Sequence, residues 1–124
     1  MNFTFDDDQL AYRDAVDSML QGEVTADRIR ARWETSTGID EALVAQVQAL
    51  GLGSMLVPES LGGLGLGPVD FILLAEACGR VALPEAVVDS VMVATPLLVD
   101  VLDRGLGNGS VQRVIEGLCA GDLS

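Results

Sequence analysis

Pro58-Glu59-Ser60-Leu61-Gly62-Gly63-Leu64-Gly65-Leu66-Gly67 decides how this chain reads, because it separates two helical patterns and offers almost nothing a helix would use. Five of its ten residues are glycine or proline. Glycine reaches positive φ without steric cost and lets another backbone come close, while proline fixes its own φ and donates no hydrogen bond. The stretch therefore supplies backbone shape, as a wall or a hinge. A phosphate-cradling reading fails on spacing. Counted from Gly63 the third glycine position holds Pro68, and counted from Gly65 it holds Asp70. No strand precedes the loop and no lysine follows it.

The chain on either side is helical in pattern. Asp6 with Gln9 three residues later reads as a capping box, and Asp7 and Asp8 suit the positive end of the helix dipole. Phe5, Tyr12, Val16, Met19 and Leu20 then recur at helical spacing, with Gly22 marking the end near Gln21. Thr25 caps a second helix with Arg28, Arg30 and Arg32 on its exposed face and Trp33 near its end. Asp40 caps a third, with Leu43, Val44, Val47 and Leu50 on one stripe and Gly51 as C-cap, and a short extended or buried turn segment follows over residues 53–57.

Beyond the loop, Pro68 sits where a first-turn proline belongs. Val69, Ile72, Leu73, Glu76 and Ala77 form the next pattern, up to Gly79. Leu83-Pro84 opens another helix with Ala86, Val87, Ser90, Val91 and Ala94 on one broad face. Pro96 either kinks that helix or starts a new one. Gly105, Gly107 and Gly109 read as a flexible connector, and Ser110 caps a last helix with Val111, Val114, Ile115 and Leu118. No strand alternation and no internal repeat emerge. The expected fold is all-α, a bundle-like arrangement of about six helices with a Gly-rich loop.

Composition narrows the function. The 124 residues carry a net charge of −12, with no Lys and no His, so every positive charge is Arg. An acidic surface of this kind repels phosphate backbones and anionic headgroups, which argues against nucleic acid and membrane surfaces as partners. Schiff-base chemistry, imidazole catalysis and His-based metal sites are likewise without residues. Mean hydropathy is nonetheless positive, +0.39, which points to a face meant for another domain or subunit.

Candidate chemistry is sparse. Glu59 and Asp70 flank the loop as a pair of carboxylates, but no basic residue in the loop tunes them, and Asp70 in the first turn of its helix serves the dipole. Glu76 and Arg80 stand at i,i+4 as a helix ion pair. Arg28, Arg30 and Arg32 fan apart on a solvated face. Cys78 and Cys119 lack any CxxC spacing and read as small buried hydrophobes. The acidic start lacks a basic n-region and an apolar h-region, and residues 90–102 are too short and too polar to span a bilayer. The expectation is a soluble, cytoplasmic protein.

Taken in order, Val57-Pro58-Glu59, Gly62-Gly63-Leu64-Gly65, Asp70, Glu76 and Gly79-Arg80 resemble the N-terminal helical domain of acyl-CoA dehydrogenases. The helix from Asp6 to Val24, the Leu-Gly helix end at Leu50-Gly51 and Ala94-Thr95-Pro96-Leu97-Leu98 agree, and Gly121-Asp122 stands where that domain hands over to a β-domain. The resemblance covers residues 1–124 as one N-terminal α-domain, with the β-domain and the C-terminal helical bundle outside this chain.

The resemblance implies a flavoenzyme that dehydrogenates the Cα–Cβ bond of an acyl-CoA, with FAD bound mainly by regions outside this chain. A glutamate base acts on the α-proton, and electrons pass to an electron-transferring flavoprotein. The base also lies elsewhere, so no catalytic residue is assigned here and the chain alone is expected to be inactive. It is expected to form part of the acyl pocket and of a homo- or hetero-oligomeric interface. The mapped wall is Ala86, Val87, Ser90 and Ala94, whose small side chains suit a bulky or steroid-derived acyl group. Leu83-Pro84-Glu85 departs from the simple fatty-acyl pattern and suits a bacterial catabolic branch. The alternatives are a non-catalytic subunit of a heteromeric acyl-CoA dehydrogenase and a biosynthetic flavoenzyme on the same scaffold.

Overall fold

The computed structural model describes residues 4–120. They are all-helical, with no strand among the described residues. In chain order the elements are α1 (Asp7–Glu23), α2 (Ala26–Trp33), α3 (Glu41–Ala49), two 3₁₀ turns (Leu52–Ser54 and Glu59–Leu61), α4 (Pro68–Arg80), α5 (Val87–Asp89), a π turn (Ser90–Ala94), α6 (Thr95–Asp103) and α7 (Gly109–Ala120). From α5 through the π turn to α6 the chain is helical without interruption, giving six helices among the described residues. The described residues form two compact units, one from residues 4–40 and 69–84, the other from residues 41–68 and 85–120.

The first unit is built on α1, α2 and α4. The expected capping box is present. Asp6 Oδ1 accepts the Gln9 N–H at 2.8 Å and Gln9 Oε1 accepts the Asp6 N–H at 2.9 Å. Gln9 also uses its amide nitrogen, which donates to Asp70 Oδ1 at 2.6 Å. Further along, Arg80 lies 3.7 Å from Asp17 and 2.8 Å from Glu76. These two ties, at 9/70 and 17/80, fix α1 and α4 in the same sense. Val16, Leu20, Val24, Phe71, Leu74, Ala77 and Cys78 are the buried side chains of this unit. Each large side chain among them contributes about 1.5–3 kcal/mol by leaving water.

Several expectations for this unit need correction. Gly22 does not end α1, which runs to Glu23 with Val24 closing it by a hydrogen bond to Leu20 O. The buried stripe of α4 is Phe71, Leu74, Ala77 and Cys78, while Val69 and Ile72 are half exposed and Glu76 is exposed. Both stripes of α4 are apolar, and the aromatic ring took the core. The helix also continues past Gly79 to Arg80 and ends in a Schellman cap, with the Leu83 N–H on Cys78 O and the Ala82 N–H on Gly79 O. The left-handed position of that cap is filled by Ala82, at φ +51°.

Arg28 is not on a solvated face. Its guanidinium reaches both the Asp40 and Glu23 carboxylates, and the hydrogen bond to Asp40 holds its pKa above the usual arginine value. Thr25 caps α2 as expected, accepting the Arg28 N–H.

The second unit has the turn Leu52–Ser54 at its centre. It touches α3, α7 and the π turn, and Leu43, Val47, Leu52, Met55, Val57, Val91, Ile115 and Leu118 are buried in this unit. Gly51 closes α3 at φ +73°, as its spacing indicated. Gly53 lets α7 come close, since a Cβ there would sit 3.3 Å from Leu118 O. The connector after α6 is hydrogen-bonded. Gly105 N–H donates to Leu102 O and Leu106 N–H to Val101 O, a second Schellman cap with glycine at its left-handed position. The cap of α7 comes from Asn108, whose Oδ1 accepts the Ser110 N–H at 3.0 Å, and not from Ser110.

Candidate functional site

The Gly-rich loop is a closed structure. Leu61 and Gly63 N–H donate to Pro58 O, Gly62 to Glu59 O, Leu64 to Ser54 O, Gly65 to Val57 O and Leu66 to Met55 O. The loop thus folds back over residues 54–57. Gly62 and Gly65 take positive φ, and a Cβ at Gly63 would fall 2.2 Å from the Val57 carbonyl oxygen. A flavin diphosphate would need free amides or cations around it. The amides of this loop from Leu61 to Leu66 are already bonded to carbonyls, so the loop does not fit that group.

The candidate site lies beside the loop's unit core, in a cavity of about 170 Å³. Its lining comes from α3 (Val44, Val47, Gln48), the turn (Leu52, Gly53), the entry to α5 (Glu85, Ala86, Val87), the π turn (Ser90, Val91) and α7 (Leu118). Helix α5 starts at Val87, not at Leu83-Pro84, after the Val87 N–H bonds Glu85 O at 2.8 Å. That entry places residues 85–87 at the rim.

Of the four residues mapped from sequence, Ala86, Val87 and Ser90 line this cavity and Ala94 does not. The π turn explains the difference. In an α-helix Ala94 would stack under Ser90, but in the π turn the i+5 residue takes that place. Thr95 N–H donates to Ser90 O, and Thr95 Oγ1 donates to the same oxygen at 2.8 Å. Thr95 is fully buried and Ala94 is exposed. Pro96, which lacks an N–H, follows inside an unbroken helical run.

Sequence reasoning missed Val44, Val47, Gln48, Leu52, Gly53, Glu85 and Leu118 as cavity residues. Only their apolar periodicity or loop position signalled them, and neither says which side faces a void. The hydroxyl of Ser90 makes no hydrogen bond to a described residue. Burial pushes the thiols of Cys78 and Cys119 above the ordinary range, and both are free. Among the described residues no cluster of His, Cys, Asp or Glu suits a metal ion, and no helix is long and apolar enough to cross a membrane.

Helical residues from α3, the π turn and α7, with the turn and the entry to α5, line this largely apolar cavity. The family follows from the sequence match. Residues 6–122 match the model for the acyl-CoA dehydrogenase N-terminal domain, and the chain belongs to that family. Neither curated proteins nor solved structures gave a match. The family is one of oxidoreductases that typically use a flavin. The proposed handover at Gly121-Asp122 lies outside the described residues.

Proposed function

We propose that this chain is the N-terminal domain of a flavin-dependent dehydrogenase acting on acyl-CoA, and that its cavity forms one wall of the acyl site. The cavity of about 170 Å³ with short side chains at Ala86, Val87 and Ser90 is the observation that supports this. An engineered apolar cavity of about 150 Å³ in another protein takes up benzene. A void of that order receives one ring or a branched end of an acyl group, and a bulky or steroid-derived group suits it. FAD, the catalytic base, a β-domain and a C-terminal bundle belong to other parts of the enzyme in this reading. Electron-transferring flavoprotein and further dehydrogenase subunits are its partners.

A flavin absorbance bleached by acyl-CoA in the complete protein tests the activity. Colourless protein that turns yellow only with a second subunit favours the non-catalytic alternative, and flavin that reacts with oxygen but ignores acyl-CoA favours the biosynthetic one. The pocket role has its own test. Ser90→Leu should lower the preference for a bulky over a straight acyl-CoA by at least about tenfold, whereas Ala94→Leu should change it less than about twofold. An unchanged preference in Ser90→Leu sinks the assignment.

A further inference from the structure

Three described serine and threonine side chains are not exposed, and two of them are spoken for. Ser54 Oγ donates to Gly51 O at 3.0 Å, and Thr95 Oγ1 donates to Ser90 O at 2.8 Å. The third is Ser90, whose hydroxyl has no partner although it lines an otherwise largely aliphatic cavity. The backbone of Ser90 is held firmly, because its carbonyl takes both the N–H and the hydroxyl of Thr95, and its own N–H donates to Ala86 O at 2.9 Å. Fixed backbone with an unspent hydroxyl is the arrangement of a preorganised contact. Two more polar side chains, Gln48 and Glu85, share the lining. A purely hydrocarbon guest would cover the Ser90 hydroxyl without bonding it, which is unfavourable.

We infer that the cavity selects acyl groups that carry a hydroxyl on their buried end, with Ser90 as the specificity-determining residue. A hydroxyl both donates and accepts, so it can take the Ser90 Oγ–H while giving its own hydrogen to the Gln48 carbonyl or the Glu85 carboxylate. Sites built this way reject analogues lacking the hydroxyl far more strongly than apolar pockets reject an extra methylene. This inference rests on the acyl-wall reading and narrows it to hydroxylated substrates.

Benzene and phenol, which differ by one hydroxyl, are the probes. Each is titrated into the protein while the backbone amides of Val87, Ser90, Val91 and Leu118 are followed by NMR, in the unaltered protein and in Ser90→Ala and Ser90→Thr. Phenol binding about tenfold tighter than benzene, the equivalent of one hydrogen bond, is expected. The preference should vanish in Ser90→Ala and persist in Ser90→Thr. Benzene binding as tightly as phenol overturns the inference and leaves the acyl-wall reading standing. A phenol preference that survives Ser90→Ala overturns the role of Ser90. Failure of both probes to shift these amides at millimolar concentration overturns the inference and the acyl-wall reading together.

Discussion

The Gly-rich loop and the helical run over residues 87–103 look, in sequence, like the unusual and the ordinary part of this protein. Their structures reverse that impression. In the loop six successive amides are matched to carbonyls and Gly63 sits where backbone meets backbone, so those amides are spent on the fold. In the helical run a π turn shifts the register, and Ser90, whose hydroxyl bonds no described residue, lines a cavity. Irregular backbone here is a finished structural solution, and unspent chemistry lies on a helix.

Substitutions separate the two regions by size of effect. Gly63→Ala places a methyl on the Val57 carbonyl and should cost about 3 kcal/mol in denaturant unfolding. Gly62→Ala meets no atom within 4 Å and carries only the strain of φ +87°, roughly 1–2 kcal/mol. If the two cost the same, close approach is not what the loop needs from glycine. Thr95→Val removes one of the two donors on Ser90 O and should cost about 1 kcal/mol, with the largest NMR shifts at Ser90 and its neighbours. Shifts confined to residues beyond Pro96 would break the link between the π turn and the cavity.

The smallest effect concerns pH. The Cys119 thiol, which faces Leu61 O at 3.8 Å, is pushed up by burial, so the folded chain holds this proton more tightly than the unfolded one. Its contribution is complete below the ordinary thiol value of 9.0 and is lost as pH rises beyond it through the folded value. Cys78 and Tyr12, also raised by burial, act in the same sense. Unfolding midpoints should therefore fall at alkaline pH, and Cys119→Ala should flatten part of that slope. An unaltered slope in Cys119→Ala would remove the loop from this effect.

Local signals in the sequence carried far. The Asp6/Gln9 capping box, the Thr25 cap, the Gly51 turn, Pro68 at a first turn and the Glu76–Arg80 pair are all set by neighbours within a few residues. What failed depended on distant partners. Nothing local says that Phe71 and not Ile72 faces the core, or that Asp40 and Glu23 both reach for Arg28. The cavity was half legible. Small residues at 86, 87 and 90 marked one wall, but the opposing side chains of α3 and α7 come from far along the chain. The π turn hid Ala94's true position, since its cause is a hydrogen-bond register that no residue pattern announced.

That π turn makes the run 87–103 one residue longer than an α-helix of the same axial span. Deleting one residue from 92–94 would make Thr95 the i+4 partner of Ser90, so the helix could close its ordinary pattern without breaking and without turning the segment upstream relative to α6. Val87 and Ser90 would then keep their side of the cavity, and Pro96 and the cap at Gly105 would stay where they are. The protein thus stores a surplus residue inside a helix, and the π turn keeps that residue from changing which side of the helix the cavity sees.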